Sequence, residues 1–174
     1  MRRLKRNFLK SKKMRHRNAP KRYYIPGGIY FITTKTHRNY EYFREPILCE
    51  LFMEDLEICK ELKRFCLYAF CLIYDHLHLL LRPCDAYDIS EIMHNIKMNS
   101  SRNINKAIVG EDTYPRLRGD NYPKFKWQQG FYDHVIRGEK DFENHYWYTA
   151  YNFEKHKLSN NWKYTSLNFP ELIQ

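Results

Sequence analysis

The chain contains four segments whose hydrophobic positions follow the spacing of β-strands. Residues 29–36 alternate between apolar and polar side chains and are rich in β-formers. Residues 65–74 are apolar on both faces, as a central strand requires, and residues 76–82 follow them after a short turn. Residues 110–126 contain prolines and glycines and predict a long loop, which leads into a fourth strand over residues 131–137.

Three further segments place their apolar residues at helical spacing. The first covers residues 47–64 and the third covers residues 139–158. The second begins after Asp88 or Ser90, either of which can cap it, and its apolar stripe runs to Ile104. The resulting order predicts an α+β fold: a ferredoxin-like antiparallel sheet (β-α-β-β-α-β) with an additional C-terminal tyrosine-bearing helix. We expect helices on one face of this sheet and an open second face that receives a ligand.

Positive charge is concentrated at the N-terminus. Residues 1–22, the basic arm, hold 11 of the 30 lysines and arginines and no acidic residue, so the remainder has 19 basic against 20 acidic residues. We interpret the arm as a flexible, phosphate-seeking tail, the alternative being a solubilising tail. Its predicted DNA-binding residues are Arg2, Arg3, Lys5, Arg6, Lys12, Lys13, Arg15 and Arg17.

Composition restricts the class of protein. The chain has no apolar run near 18 residues, which predicts no membrane span, and its N-terminus has no apolar segment of a secretory signal. The five cysteines form no Cys-x-x-Cys pair, so we expect reduced thiols and a cytoplasmic protein. A zinc site that combines Cys71 with nearby histidines is a weaker alternative.

The segment His76-Leu77-His78 is the first candidate for chemistry. Side chains alternate along a strand, so His76 and His78 point to one face and Leu77 to the other. Two imidazoles on a stiff strand form half of a preorganised metal site. The alternative is two polar residues on a solvated sheet face.

The third helix offers groups that complete such a site. Tyr148 and Asn152 are four residues apart, which places them on one face of the helix, with His145 just before them. Asn152 is a candidate third, oxygen ligand to a metal held by His76 and His78. Tyr148 would then lie beside the metal as a nucleophile for phosphodiester cleavage. The alternative is an ordinary polar helix face.

Four segments together resemble one known family. They are Pro26-Gly27-Gly28-Ile29-Tyr30-Phe31-Ile32-Thr33, the hairpin Leu67–Leu81 with its His-hydrophobic-His motif, Trp127-Gln128-Gln129-Gly130-Phe131-Tyr132-Asp133-His134-Val135-Ile136-Arg137, and Tyr148–Leu158. In this order they resemble the REP-associated tyrosine transposases. These are HUH single-strand DNA endonucleases related to the single-tyrosine insertion-sequence transposases. The resemblance spans about residues 20–165, and it makes residues 23–174 the nuclease domain.

The resemblance implies a metal-dependent DNA endonuclease and strand transferase. It assigns His76, His78 and Asn152 as ligands of a divalent ion, Mg²⁺ or Mn²⁺, and Tyr148 as the nucleophile that keeps the 5′ phosphate. The expected substrates are hairpins of repetitive extragenic DNA, recognised by a monomer or homodimer. Two rival hypotheses remain open: a non-catalytic nucleic-acid-binding regulator, and a metal-dependent hydrolase of RNA or of a small phosphoester.

The chain departs from the family's pattern at three places. The family's Met-Pro-Asn before the first histidine is Ile73-Tyr74-Asp75 here. Its Asn-Pro is Asn152-Phe153, and its following Gly is Lys157. Because the proline is missing, we expect the third helix to continue past Asn152.

Further residues are weaker candidates for contacts with DNA. Lys97, Arg102, Lys124, Lys126 and Arg137 flank the second helix and the fourth strand and are predicted to bind phosphates, although solvated surface explains them equally well. Tyr146, Trp147 and Tyr151 are candidates for stacking on bases. Asp133 and His134 alternate on the fourth strand, so one of them faces the same side as the histidine pair.

Overall fold

The computed structural model describes residues 24–84, 86–110 and 122–173. The basic arm and residues 111–121 of the predicted loop lie outside these ranges. The elements are, in order, β1 (Tyr30–Lys35), α1 (Pro46–Lys63), β2 (Cys66–Ile73), β3 (His76–Arg82), α2 (Ile89–Val109), β4 (Tyr132–Val135), α3 (Glu139–Ala150) and α4 (Asn152–Lys155). Short 3-10 turns occupy His37–Asn39, Tyr42–Arg44, Ser166–Asn168 and Pro170–Leu172.

The four strands form one sheet in the order β2-β3-β1-β4, and every neighbouring pair is antiparallel. The strands β1 and β2 therefore run in the same direction on either side of β3, which is the split β-α-β arrangement. The predicted fold class is confirmed.

Local signals explain where the first two helices begin and end. Pro46 occupies the first turn of α1, where its missing N–H costs nothing, and Arg64 ends the helix in the left-handed conformation with φ 50°. Asp88 caps α2: its side chain accepts a hydrogen bond from the Glu91 N–H, and the Glu91 side chain accepts one from the Asp88 N–H. Of the two predicted caps, Asp88 is therefore correct.

The main core lies between one face of the sheet and the helices α1 and α2. Leu77, Leu79 and Leu81 of β3 are completely buried there, together with Ile32 of β1. This is the leucine face that the alternation in β3 predicted. Burial of this face fixes the strand register, because a shift by one residue would exchange the leucines with the histidines.

The second face of the sheet is not open, and the prediction of an open face is wrong. Phe142 and Tyr146 of α3 pack on Phe31, Ala69 and Leu80. The side of α3 that carries aromatic residues therefore covers this face. The histidine pair consequently lies between the sheet and α3 with α4.

The prediction that the third helix continues past Asn152 is also wrong. The helix α3 ends at Ala150, Tyr151 has non-helical angles (φ −105°, ψ 18°), and the short α4 follows. The Thr165 hydroxyl donates a hydrogen bond to the Ala150 carbonyl, and the Glu154 N–H bonds to Tyr151 instead. A contact with the C-terminal segment thus ends the helix without a proline.

The C-terminal segment extends the sheet edge next to β2. The Leu72 N–H donates to the Tyr164 carbonyl at 2.9 Å, and the Trp162 indole N–H donates to the Leu72 carbonyl at 2.8 Å. Thr165 forms an isolated antiparallel bridge with Cys71. The C-terminal segment therefore stabilises β2, the strand that pairs with β3 and its two histidines. Across the described ranges, no helix combines the length and apolarity needed to cross a membrane.

Candidate active site

The two histidines of β3 are buried side by side. His76 and His78 are each 4% exposed, and their ring centroids are 4.9 Å apart with the planes nearly perpendicular. His76 Nδ1 lies 2.6 Å from Asp75 Oδ1, and His78 Nδ1 lies 2.8 Å from Thr33 Oγ1. These partners hold both rings through Nδ1, so Nε2 is the atom of each ring that suits a metal.

The electrostatic environment of His76 and His78 favours metal binding. Burial lowers the pKa of His78 to about 3, with further lowering from the nearby His76, His156 and Lys155. The hydrogen bond from His76 lowers the pKa of Asp75, so that carboxylate is charged and can accept from the His76 N–H. A neutral imidazole and a carboxylate-oriented imidazole are the forms in which histidine binds metal ions.

Tyr148 lies beside the pair on α3. Its ring meets His78 edge-on at 5.4 Å between centroids and Phe31 at 5.6 Å. It is 39% exposed, so part of the side chain is accessible from solvent although its ring packs on Phe31 and His78. The structure therefore brings the predicted nucleophile to the predicted metal ligands.

Asn152 is the fourth predicted site residue and the first residue of α4. It is 1% exposed, and neither Oδ1 nor Nδ2 has a hydrogen-bond partner among the described residues. An amide buried in this way costs free energy unless it has a partner. Two imidazoles held through Nδ1 and a buried amide oxygen without a partner form a donor set that fits a divalent ion.

The helix α4, which begins at Asn152, ends in a hydrogen-bonded turn. The Leu158 N–H bonds to the Phe153 carbonyl and the Lys157 N–H to the Glu154 carbonyl, which is the Schellman pattern. Lys157 takes the left-handed position with φ 55°, where the family's pattern has glycine. Leu158 and Phe153 pack together with Cys71 and Ile73. The turn therefore has the same form here without the glycine, at the cost of a strained lysine.

Cys71 is a core residue next to the predicted metal ligands. It lies opposite His78 in the register of β2 and β3, is completely buried and packs with Ile73 and Phe153. Burial raises the pKa of its thiol to about 12, which favours the neutral form. The alternative zinc site stays a prediction.

A second polar cluster lies on the same side of the sheet, beyond Phe31. The register pairs His134 with Phe31, so His134 shares the face of the histidine pair, and Asp133 points to the opposite face. His134 contacts Asp141, and Asp141 contacts His145. Phe31 separates this cluster from the active site: its ring centroid is 5.5 Å from that of His78 and 4.8 Å from that of His145.

The predicted phosphate-binding residues outside the arm mostly lie elsewhere. Lys97, Lys124 and Lys126 line a cavity of about 560 Å³ between α2 and residues 124–131, and Arg102 and Lys124 line an adjoining cavity of about 510 Å³. Lys97 donates to the carbonyls of Gln128 and Gly130, so part of its role is to hold that segment. Arg137 is exposed at the end of β4. The arm residues fall outside the described ranges, and their role stays a prediction.

Sequence reasoning missed three residues of the site. Thr33 contacts His78 only because β1 pairs with β3, which no local pattern shows. Asp75 precedes His76 directly, and a carboxylate next to a ligand histidine was a usable signal. Lys155 occupies the lysine position of the family's helix-end pattern, and its Nζ lies 4.3 Å from the centre of the Tyr148 ring.

The sequence of this chain matches the model of a known protein family. Residues 29–154 match the family model described as "Transposase IS200 like". The chain belongs to the IS200-like transposase family. This is a family of enzymes that cleave and join DNA.

Individual relatives agree with the resemblance predicted from the motifs. A Haemophilus influenzae protein described as a REP-associated tyrosine transposase is 27% identical over 156 residues, covering 85% of this chain and 84% of that protein. A solved REP-associated tyrosine transposase bound to a REP hairpin has a TM-score of 0.68 at 20% identity, covering 86% of this chain and 82% of that one. A transposase structure from Deinococcus radiodurans has a TM-score of 0.51 at 12% identity, covering 83% of this chain and 99% of that one.

Proposed function

We propose that this transposase is a metal-dependent single-strand DNA endonuclease and strand transferase that acts on hairpins of repetitive extragenic DNA. One observation carries the proposal. The nucleophile candidate Tyr148 lies against His78, which is buried and oriented beside His76, and Asn152, a buried amide without a partner among the described residues, follows at the start of α4. The relative bound to a REP hairpin supports the choice of substrate.

His76, His78 and Asn152 would hold the ion. Two imidazoles and one amide oxygen leave positions for water and for a phosphate oxygen, and imidazole ligands favour Mn²⁺ at least as much as Mg²⁺. When bound, the ion supplies charge that polarises the scissile phosphate. Asp75 and Thr33 keep the histidine rings oriented.

Tyr148 performs the covalent step. Its phenolic oxygen bonds to phosphorus, the bond from phosphorus to the 3′ oxygen breaks, and the leaving oxygen takes a proton from solvent, so that strand departs with a free 3′ hydroxyl. The phenolic proton leaves to solvent, which reaches this half-exposed side chain, and Lys155 stabilises the negative charge on the phenolate. The phosphotyrosine conserves the energy of the broken bond, so attack by a 3′ hydroxyl of another strand rejoins DNA without a nucleotide cofactor.

The basic surfaces would hold the DNA. The cavities beside α2 are lined by Lys97, Arg102, Lys124 and Lys126, and Arg137 is exposed beyond β4. We assign phosphate contacts to these residues and to the basic arm, because phosphate contacts position DNA without reading bases.

A covalent adduct tests this function. The full-length protein should be incubated with hairpin oligonucleotides that carry a label on either side of the cleavage site, with Mn²⁺ or with chelator. We expect a denaturant-stable protein–DNA band that contains the 3′ fragment, joined through its 5′ phosphate, and only when the ion is present. Hairpin binding without an adduct would favour the regulator, and cleavage without an adduct would favour a hydrolase.

A further inference from the structure

The cluster of His134, Asp141 and His145 has no part in the proposed cleavage. Asp141 Oδ2 lies 2.9 Å from His134 Nε2, and Asp141 Oδ1 lies 3.0 Å from His145 Nδ1. The two imidazoles are stacked at 4.6 Å with only 17° between their planes. A single carboxylate thus lies between two parallel imidazoles that come from different elements, β4 and α3.

This arrangement has the dimensions of a metal site. One donor atom from each residue lies within 4.8 Å of the other two. Zinc holds its nitrogen and oxygen ligands at about 2.0–2.2 Å, so tetrahedral ligands stand about 3.3 Å apart. To bind one ion, the stacked rings must turn toward it, and His145 Nδ1 must leave the Asp141 backbone carbonyl, from which it lies 2.9 Å. Two histidines and a carboxylate form the three-ligand set that leaves a fourth position for water.

The charge and exposure of the cluster also suit an ion. Asp141 Oδ2 accepts a hydrogen bond from the Arg137 backbone N–H and contacts His134 Nε2, so the carboxylate already points into the cluster. The three side chains are about one quarter exposed, at 28% for His134, 26% for Asp141 and 25% for His145. An ion can therefore enter from solvent, and the ligand set would neutralise one of its two positive charges.

We propose that His134, Asp141 and His145 form a second divalent-metal site, which takes a borderline ion of the zinc class. Phe31 separates it from His76 and His78, so it is distinct from the site that activates the phosphate. The ion ties the first turns of α3 to β4. Asp141 stands seven residues before Tyr148, about 10 Å along the helix, so the ion fixes the helix that carries the nucleophile. The proposal does not depend on the proposed function.

Zinc binding to the full-length protein tests this site. Isothermal titration with Zn²⁺ should find two classes of site in the wild type. His134→Gln and His145→Gln keep a polar side chain of similar reach, and each should remove one class and weaken its affinity at least tenfold. The double variant His76→Ala/His78→Ala should remove the other class. His94→Gln changes an exposed histidine on α2 and serves as the matched control, with both classes retained.

Two further measurements distinguish this site from the pair His76 and His78 and from the cysteines. Zn²⁺ should raise the unfolding temperature of His76→Ala/His78→Ala, and adding His145→Gln to that variant should abolish the rise. The Co²⁺ complex should show a spectrum without thiolate charge-transfer bands. Wild-type stoichiometry and affinity in both His134→Gln and His145→Gln would overturn the proposal, as would thiolate bands, which would assign the ion to cysteines.

Discussion

Lys155 Nζ lies 4.3 Å from the centre of the Tyr148 ring, although the two residues belong to different helices. The break at Tyr151 separates α3 from α4 and allows this contact. In the proposed reaction, the lysine would hold a positive charge over the ring of the phenolate that attacks the phosphate. Charge placed in advance at such a position is a large contribution to catalysis.

Lys155→Met should therefore slow cleavage while hairpin binding changes little. We expect the rate of adduct formation to fall about tenfold, which corresponds to about 1.4 kcal/mol. Lys155→Arg should retain most of the rate, because it keeps the charge above the ring. The measurement is single-turnover adduct formation at saturating DNA, with Lys163→Met as a control at an exposed lysine elsewhere. An unchanged rate in Lys155→Met would exclude the charge as a contributor.

Asp75→Asn tests whether the carboxylate beside His76 prepares that ring for a metal. The amide keeps the shape of the side chain but cannot stabilise the same tautomer, so affinity for Mn²⁺ should fall by about 10- to 100-fold. Higher ion concentration should restore cleavage. Titration of activity against Mn²⁺ measures this, and a loss of activity that saturating ion does not restore would contradict the explanation.

From the environment of Asp55, we expect this carboxyl group to make stability depend on pH in the opposite direction from most carboxylates. It is buried, its Oδ2 has no hydrogen-bond partner in the described part of the chain, and burial raises its pKa to about 6 despite the hydrogen bond from Asn103. A group with a raised folded-state pKa contributes stability below its unfolded value, near 3.8, and that contribution is lost as the pH rises through about 6.

Asp55→Asn should remove this dependence. The difference in unfolding free energy between variant and wild type should shift in favour of the variant by about 1–3 kcal/mol between pH 4 and pH 7. Urea unfolding at both pH values measures it. A difference that is the same at both pH values would mean that Asp55 is not the titrating group.

Most of the framework was predictable because it depends on local patterns. Alternation in β3 placed His76 and His78 on one face, and helical spacing located α1 and α2. The coverage of that face and the end of α3 were not predictable, since they depend on distant contacts. The Thr165 hydroxyl ends α3 from 15 residues away, and Thr33 reaches His78 across 45 residues. Helical spacing offered Tyr148 and Asn152 as candidates, the family resemblance supported them, and their roles stay predictions.

Deletion of the basic arm tests whether the arm supplies affinity for DNA while the folded domain supplies the preference for the correct hairpin. Removing residues 1–22 takes away 11 positive charges and leaves a nearly neutral domain. If about five of these residues contact single-stranded phosphates, the slope of log affinity against log salt should fall by about 3 to 4. Salt titrations of both proteins on correct and scrambled hairpins measure it. We expect the preference for the correct hairpin to remain; its loss would assign base readout to the arm.

The most direct test of the account maps the covalent bond itself. The protein–DNA adduct is digested and the modified peptide is sequenced by mass spectrometry, for wild type, Tyr148→Phe and Tyr151→Phe. Tyr151 is a matched control, because it lies three residues away and is equally exposed at 39%. We predict that the wild type and Tyr151→Phe carry the nucleotide on Tyr148 and that Tyr148→Phe binds the hairpin without forming an adduct. An adduct on any other residue, or one that persists in Tyr148→Phe, would contradict the account.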